Sequence, residues 1–359
     1  MKPDPGLTAW IRLSLIDGLG PATFRKLLSV FGLPDQILGA SHANLSRFVP
    51  TAIAQQILQE THEAQIATTL DWAGHDGNTI LTLADKAYPR LLLEIANPPP
   101  LLYLRGQTAL LEKNGLAIVG SRNASPQGLA NAEGFARAFS DTGLTIISGL
   151  ALGVDAAAHR GGLSGSGSTI AVLGTGADSL YPTSNRKLGE EIANRGLLVS
   201  EFPVGTPPVA ANFPRRNRLI SGLARGCLVV EAAISSGSLI TARQAGEQGR
   251  EVFAIPGSIH SPLSRGCHLL IKQGAKLVES AADVLEELGA EIPTKSGSIP
   301  KQSGVDNELL LHMGYDICTL DALVSRSRLT VDAVSAMLLN LELEGKIASL
   351  PGGRFQRLS

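Results

Sequence analysis

The chain has 359 residues and carries 31 lysines and arginines against 32 aspartates and glutamates, a formal net charge of −1 at pH 7. This balance excludes a generally basic, histone-like protein, but not a focused basic patch, because binding responds to the local potential. A hydrophobic content of 44% is ample for a packed core, and the length predicts two or three domains.

The first part of the chain has helical patterning. An apolar run over residues 10–16 ends at a Gly-Leu-Gly-Pro turn, and a second helix is predicted over residues 22–31. This outline is that of a helix-hairpin-helix, whose turn amides hold a DNA phosphate, but a hairpin that only packs is favoured for a single example. Residues 52–72 form a further predicted helix. Residues 1–74 are therefore predicted to be a small all-α domain.

From residue 78 onward, short apolar strands alternate with helical segments, which is typical of a parallel sheet covered on both faces. We predict an extended Rossmann-like, mostly parallel α/β domain over residues 75–290. Its strands are predicted at 79–83, 101–104, 115–120, 145–148, 169–173, 196–200, 227–231 and 251–255.

Small-residue loops follow most of these strands. Ligands of such sheets bind outside the carboxyl ends of the strands, so we expect the loops to converge on one long crevice. Arg122 lies in the first loop, immediately before a predicted helix that begins at Pro126, and is expected to contact the ligand. The loop sequences are GSRNAS, SGLALG, GTG, SEF and EAAISSGS.

The most basic segment of the chain is NFPRRNR, at residues 212–218. Between Phe202 and Ile240 the only acidic residue is Glu231. The small-residue turn at 235–238 offers backbone N–H groups to an anion. The combination indicates a polyphosphate or nucleic-acid partner.

The C-terminal part is predicted to be a separate unit. Residues 291–305 resemble a flexible linker, and residues 306–359 have the pattern of three helices and a two-stranded wing, a winged helix. The third of these helices carries Asp332, Glu342 and Glu344 but no arginine, which would repel a duplex phosphate. A protein-contact or structural role is favoured over nucleic-acid contact, although the wing has two arginines.

No catalytic or cofactor motif stands out. His159 follows three alanines and is expected to be a buried or capping histidine, and no second carboxylate is placed for acid–base work beside Asp155 or Asp178. The chain has no G-x-x-x-x-G-K-[ST] segment, and its G-T-G lacks the third glycine of a dinucleotide fingerprint. We therefore expect no catalytic residues and no cofactor.

The three cysteines are far apart and include no C-x-x-C pair, so neither a disulfide framework nor a zinc site is indicated. The chain has no apolar run long enough for a membrane span and no signal-like N-terminus. A cytoplasmic protein without a membrane partner or a bound metal is predicted.

The loop and helix motifs together resemble one family, the DprA/Smf DNA-processing proteins of bacteria. The resemblance covers the whole predicted sheet domain in order, and both terminal domains fit the family's layout. It implies a non-enzymatic protein that binds single-stranded DNA without strong sequence preference. It also implies a homodimer through the Rossmann-like domain and loading of the RecA recombinase during natural transformation and recombination. The segments that carry the resemblance are GSRNAS, SGLALGVDAAAHRG, LGTGADSLYP, SEFPVGTPP, NFPRRNRLISGLA, VVEAAISSGSLITARQAGEQGREVFAIPG and RGCHLLIKQGA.

The resemblance also implies where the single-stranded DNA pocket lies. Arginines would neutralise phosphates, an aromatic ring would stack on a base, and turn amides would cap a phosphate oxygen. Arg216 is expected to point elsewhere, and glutamate at position 215 or 218 is expected to reduce binding while leaving the fold intact. No residues are assigned to the RecA or dimer interfaces. The pocket residues are Arg122, Phe213, Arg215, Asn217, Arg218, Ser235, Ser236, Gly237 and Ser238, with Arg243 as a weaker candidate.

Two alternatives stay open. One is a nucleotide-processing enzyme resembling LOG-type phosphoribohydrolases, which carry PGGxGT followed by a glutamate at the corresponding turn. Here the turn is SSGSLITAR and no glutamate occurs between Thr241 and Glu247, so the expected carboxylate is missing. The other is a duplex-reading regulator that acts through the winged helix, which the acidic third helix argues against.

Overall fold

The structure, a computed structural model, describes residues 5–289 and 306–358. The linker predicted at 291–305 lies outside the described residues, and the domain boundaries drawn from the sequence stay predictions. The N-terminal helices are α1 (Pro5–Ser14), α2 (Pro21–Phe31), α3 (Pro34–Leu38), α4 (His42–Leu45), α5 (Thr51–Gln59) and α6 (Glu63–Ala73).

The single helix predicted over residues 52–72 is wrong, because the chain breaks it into α5 and α6. Glu60 is extended and His62 has a left-handed backbone with φ of 49°, so the hydrogen-bond ladder cannot continue through them. The two short helices α3 and α4 were not predicted. Five or fewer residues leave too little periodicity to recognise.

The N-terminal helices share one apolar core with the edge of the sheet. Within it, Trp10 stacks on Phe24 with ring centroids 5.6 Å apart, and Trp72 meets Tyr103 of the sheet edge-on at 6.1 Å. The amide of Gln65 also donates to the carbonyl of Val204 at 2.7 Å. The helical region is therefore packed directly against the sheet.

The central region alternates strands and helices. Its strands are β1 (Asn78–Thr82), β2 (Leu101–Gly106), β3 (Gly115–Val119), β4 (Thr145–Ser148), β5 (Thr169–Val172), β6 (Leu197–Ser200), β7 (Gly226–Val229), β8 (Glu251–Ala254) and β9 (Lys276–Leu277). Its helices are α7 (Arg90–Leu93), α8 (Pro126–Asp141), α9 (Val154–Ser164), α10 (Arg186–Arg195), α11 (Asn212–Gly222), α12 (Ser238–Glu247), α13 (Arg265–Lys272) and α14 (Ala281–Glu287).

These strands form one nine-stranded sheet in the order β1-β2-β6-β5-β4-β3-β7-β8-β9. The pairs from β6 to β9 are parallel, whereas β1 pairs antiparallel with β2 and β2 antiparallel with β6. The predicted class, an extended Rossmann-like and mostly parallel sheet, is confirmed. The antiparallel pair at the edge is the surface on which the N-terminal helices pack.

The order of the strands creates a switch point between β3 and β7. From β3 the chain moves outward through β4, β5 and β6, and then returns to place β7 on the other side of β3. The loops that follow β3 and β7 therefore leave in opposite directions, which opens a crevice at the carboxyl ends of these two strands.

The C-terminal unit is a winged helix, as predicted. It has its own apolar core, which includes Leu323, Val334, Leu338 and Leu341. A two-residue strand, which was not predicted, widens the wing to a three-stranded sheet in the order β10-β12-β11. The elements are α15 (Asp306–Met313), β10 (Cys318–Thr319), α16 (Leu320–Ser327), α17 (Val331–Leu343), β11 (Ile347–Leu350) and β12 (Arg354–Arg357).

Candidate functional site

A cleft of about 390 Å³ opens at the switch point, between the carboxyl ends of β3 and β7 and the side of α11. Three strand-end loops and three helices contribute to its wall. Its lining includes Gly120, Ser121, Arg122 and Asn123 after β3, Ala151 after β4, Asp155 from α9, Phe213, Arg216 and Asn217 from α11, Ser235, Ser236 and Gly237 after β7, and Ser238 from α12.

The basic segment NFPRRNR is the start of α11, and helical geometry divides its side chains between different directions. Phe213, Arg216 and Asn217 are three and four residues apart, so they share one face, and that face lines the cleft. Arg215 and Arg218 lie elsewhere on the helix. Of the predicted site residues, the structure therefore brings together Arg122, Phe213, Asn217 and the turn at 235–238.

Arg215 and Arg218 meet behind the cleft on a single carboxylate, that of Glu201 after β6. Their Nη2 atoms lie 3.2 Å and 2.5 Å from Glu201 Oε2. The Glu201 side chain is 1% exposed and that of Arg218 is 13% exposed, whereas Arg215 is half-exposed and its guanidinium lies 5.3 Å from the centre of the Phe202 ring. Burial lowers the pKa of Arg218, and the Glu201 charge opposes that shift.

The structure changes two expectations, the extent of the crevice and the effect of a substitution at Arg218. The loops after β5 and β6, both within the described residues, contribute no residue to the lining of the cleft, so three of the five predicted loops form it. In addition, Arg218→Glu would bury a second carboxylate against Glu201, so we expect this variant to be destabilised as well as weakened in binding. Arg243, the weaker candidate, lines a different groove between α12, β8 and α13.

Arg216 does not point away from the site, which corrects the prediction. It is buried at the floor of the cleft, and its Nη1 donates hydrogen bonds to the carbonyls of Gly149, at 2.6 Å, and of Val172. The Gly149 carbonyl begins the loop directly after β4, and the Val172 carbonyl is at the end of β5. A Cβ atom at position 149 would lie 2.5 Å from Arg216 Nη1, so a larger residue there would displace the guanidinium from these two carbonyls. Helical spacing from Phe213 is the signal that could have placed Arg216.

The floor also holds a buried carboxylate. Asp155 Oδ2 accepts hydrogen bonds from the backbone N–H groups of Gly149 at 3.1 Å and Ala151 at 3.4 Å. Burial raises the pKa of Asp155, and the charge of Arg216 opposes this shift. Burial lowers the pKa of Arg216 to about 10, so its guanidinium stays charged at neutral pH. Asp155 and Arg216 thus shape the loop after β4 from below.

Arg122 is the exposed cation at the mouth of the cleft. Within residues 5–289 and 306–358 it takes part in no ion pair. The nearby acid Glu231 is occupied by the start of α8: its carboxylate accepts from the Ser125 N–H at 2.9 Å and from Ser125 Oγ at 2.6 Å. Neither carboxylate oxygen of Glu231 therefore pairs with Arg122, whose guanidinium is exposed at the mouth.

Phe213 supplies an aromatic surface, and the G-T-G loop after β5 supports it. A Cβ atom on Gly174 would lie 2.7 Å from Phe213 Cδ1, so only a glycine lets the ring pack this closely. On another side the ring of Tyr181 lies 5.5 Å away, centroid to centroid, with an angle of 41° between the two planes. Phe213 itself is half-buried.

The turn at 235–238 closes the opposite wall and leads into α12. Ser236 Oγ and Ser238 Oγ are 2.7 Å apart, and the Ser238 N–H donates to Ser236 Oγ at 3.3 Å. The N-terminus of α12 thus borders the cleft through Ser238. Its partial positive charge adds to that of Arg122.

The remaining polar residues singled out in the sequence hold loops. His159 is buried, as predicted: its Nε2 accepts from the Leu150 N–H at 3.2 Å and its Nδ1 lies 2.7 Å from Thr169 Oγ1. Burial lowers the pKa of His159 to about 3, so the imidazole is neutral. Asp178 accepts from the Gly205 N–H at 2.9 Å.

Among the described residues, no group of three or more histidines, cysteines or acids is arranged to hold a metal ion. The three cysteines are buried and free. In that same part of the chain, no helix combines the length and the apolar character that crossing a bilayer needs.

Comparisons with known proteins follow the same division of the chain. Residues 79–289 match the family model described as DNA recombination-mediator protein A, and residues 293–353 match a DprA winged helix domain. Protein Smf of Escherichia coli K12 is 43% identical over 298 residues, which is 80% of this chain and 80% of that protein.

Two solved structures are similar. DNA processing protein A of Streptococcus pneumoniae superposes with a TM-score of 0.71 at 38% identity, over 80% of this chain and 99% of that one. That of Helicobacter pylori, whose structure concerns its single-stranded DNA binding mode, has a TM-score of 0.54 at 31% identity, over 58% of this chain and 95% of that one. From its sheet, its cleft-lining motifs and these matches, the chain belongs to the DNA recombination-mediator protein A family, the DprA/Smf proteins.

Proposed function

We propose that this chain binds single-stranded DNA in the cleft at the β3–β7 switch point, without strong sequence preference. The observation that carries the proposal is the convergence on one cleft of an exposed cation, an aromatic ring and a helix N-terminus. They are contributed by Arg122, Phe213 and the turn at 235–238. The single-stranded DNA binding of the Helicobacter pylori relative supports it.

Each group has a defined part in this proposal. Arg122 neutralises a phosphate, the Ser238 end of α12 faces another phosphate oxygen, and Phe213 stacks on a base. Asn217 supplies a hydrogen-bonding amide between them. A single strand suits the cleft because its bases have free faces, whereas in a duplex the neighbouring base pairs cover them. Phosphate contact and stacking do not read base edges, so sequence preference is weak.

We further propose that the bound strand is passed to the RecA recombinase in natural transformation and recombination, and that the Rossmann-like domain forms a homodimer. The description of the matching family as a recombination mediator supports the first part. A strand-exchange assay with RecA in the presence and absence of the protein tests it. The mass of the free protein in solution tests the second part.

The test of DNA binding compares fluorescence anisotropy of labelled oligo-dT and of the matching duplex at two salt concentrations. We expect preference for the single strand and a log–log salt slope of about −0.7 for each phosphate neutralised. Arg122→Glu should weaken binding roughly a hundredfold, about 2.7 kcal/mol, because a like charge then faces the phosphate.

The matched control is Arg225→Glu, because Arg225 is also exposed but lies at the amino end of β7, on the opposite edge of the sheet. It should bind like the parent. Duplex preference, or an equal loss in both variants, would move the DNA site away from the cleft.

The alternative function, a nucleotide-processing enzyme, makes a different demand on the cleft. A nucleotide phosphoribohydrolase needs a carboxylate available to the substrate, whereas Asp155, the acid among the described lining residues, is buried and accepts two backbone N–H groups. Turnover of nucleoside monophosphates by the purified protein, lost in Asp155→Asn, would favour the enzyme over the DNA-binding protein.

A further inference from the structure

An exposed aromatic ring lies next to Phe213 and outside the cleft. Tyr181 is 44% exposed although its ring is in contact with the half-buried ring of Phe213. Tyr88 and Tyr103, by contrast, are 3% and 1% exposed. Tyr315 of the winged helix is also exposed, at 61%, so what distinguishes Tyr181 is its contact with a ring that lines the cleft.

The loop that carries Tyr181 is fastened to the wall of the cleft. Asn185, at the end of this loop, donates through Nδ2 to the carbonyls of Leu150 and Ala151, both at 3.0 Å. Ala151 in turn lines the cleft. Thr175 Oγ1 also donates to the carbonyl of Ser179 within the loop. The ring is therefore held in place before any ligand binds, which reduces the ordering cost of a contact with it.

Positive charge continues beyond the ring. Arg186 and Lys187 begin α10, are both exposed, and form no ion pair in the described part of the chain. The acids of the same helix are neutralised by arginines, since Glu190 pairs with Arg105 at 2.6 Å and Glu191 with Arg195. The surface thus runs from a cation through two rings to further cations.

We propose that Tyr181 forms a second base-stacking subsite, and that a single strand leaves the cleft across the carboxyl end of β5 toward α10. This inference rests on the proposed DNA binding. The 41° angle between the rings keeps Tyr181 and Phe213 from acting as one flat surface, so each ring takes the face of a different base. The phosphate between or after these bases then meets Arg186 and Lys187.

The experiment uses the full chain and two lengths of labelled oligo-dT, about four and about ten nucleotides. Tyr181→Leu keeps an apolar side chain against Phe213 but removes the aromatic face. We expect it to weaken binding of the longer strand about tenfold, because one stacked base contributes roughly 1–3 kcal/mol, and to change binding of the shorter strand much less. Tyr181→Phe should bind both strands like the parent.

A spectroscopic signal separates stacking from simple support of Phe213. With 2-aminopurine placed at successive positions of the longer strand, Tyr181→Leu should abolish the quenching at one position and Phe213→Leu at another. Tyr315→Leu, at an exposed tyrosine of the winged helix, is the matched control and should alter neither.

The outcomes distinguish this inference from the function on which it rests. If Arg122→Glu lost binding while Tyr181→Leu bound and quenched like the parent, only the second subsite would be overturned. If Arg122→Glu also bound like the parent, the DNA site itself would be misplaced. Loss of quenching at the same position in both aromatic variants would mean that Tyr181 only positions Phe213, which contradicts the inference.

Discussion

The helices α11 and α17 differ in a way that the motifs of the chain do not suggest. A winged helix ordinarily reads duplex DNA with its third helix, α17, yet here that helix carries acids and leaves Leu339 and Leu343 58% and 79% exposed. Helix α11 belongs to no DNA-reading motif, but it brings a ring and an amide to the cleft. The comparison teaches that the groups a helix presents, rather than the motif that contains it, indicate its partner.

None of the three arginines of α11 is a free cation that faces the cleft. Arg216 is a buried structural residue, and Arg215 and Arg218 share Glu201. The exposed positive charge of the cleft comes from Arg122 and the end of α12. Four substitutions test the contrast between the two helices, and the first of them is expected to change the protein most.

Arg216→Met should have the largest effect, and on stability rather than on DNA. It removes the donor to the carbonyls of Gly149 and Val172 and leaves Asp155 without a nearby positive charge. We expect the free energy of unfolding to fall by about 3–5 kcal/mol, because two buried carbonyls lose their donor, at about 1–3 kcal/mol each, and the buried Asp155 loses the influence of a nearby positive charge. Urea denaturation measures it, with Arg225→Met as the exposed control expected within about 0.5 kcal/mol of the parent. A similarly small change in Arg216→Met would remove the structural role of this arginine.

Phe213→Ala comes next and acts on DNA binding. The substitution deletes the ring that lies over Gly174 and, in the proposed complex, under a base. Single-strand affinity should fall by a factor between roughly five and a hundred and fifty, corresponding to about 1–3 kcal/mol of stacking. Anisotropy with oligo-dT checks it, and circular dichroism establishes that the fold is kept. Unchanged affinity would contradict base stacking on Phe213.

Arg215→Glu should have a modest effect. The side chain is half-exposed behind the cleft, so its charge reaches a bound phosphate only through screened, long-range interaction. We expect about a threefold loss of affinity at low salt that fades at high salt. Arg215→Gln separates loss of the positive charge from repulsion by Glu201. A hundredfold loss in both Arg215→Glu and Arg215→Gln would instead indicate that Arg215 contacts DNA directly, as predicted from the sequence.

Glu342→Lys on α17 should have the smallest effect. If this helix stays away from nucleic acid, replacing an exposed acid by a base leaves affinity for oligo-dT and for duplex within about twofold of the parent at physiological salt. The same anisotropy assay measures both. A tenfold gain in duplex affinity would show that α17 does approach DNA, and would remove the contrast with α11.

The fold was largely predictable because its strands are apolar runs with clear ends. The start of helix α8 was predicted at Pro126, where the structure has it, with Ser125 as its cap. Strands β9 and β10 were missed because two residues carry no period, and the break between α5 and α6 depends on the backbone of His62. Local patterning is sufficient for long elements and insufficient for short ones.

The site was only partly predictable. Arg122, Phe213, Asn217 and the serine turn converge as expected, because strand-end loops of a parallel sheet meet at one edge. The directions of the α11 arginines were not foreseen, because the segment was treated as a patch, without the helical period that divides it. The pairing with Glu201 could not be seen, because that residue is brought close by the sheet and lies 14 residues from Arg215 in the chain.

The contact of Arg216 with Gly149 has a consequence for how the family's sequences are compared. At the carboxyl edge of the sheet, the Arg216 guanidinium bridges the ends of the neighbouring strands β4 and β5, beyond their last backbone hydrogen bond. Gly149 leaves room for it. A residue larger than glycine at position 149 would collide with the arginine. A side chain shorter than arginine at position 216 would leave two carbonyls without their donor. We therefore expect positions 149 and 216 to co-vary among the sequences of the family.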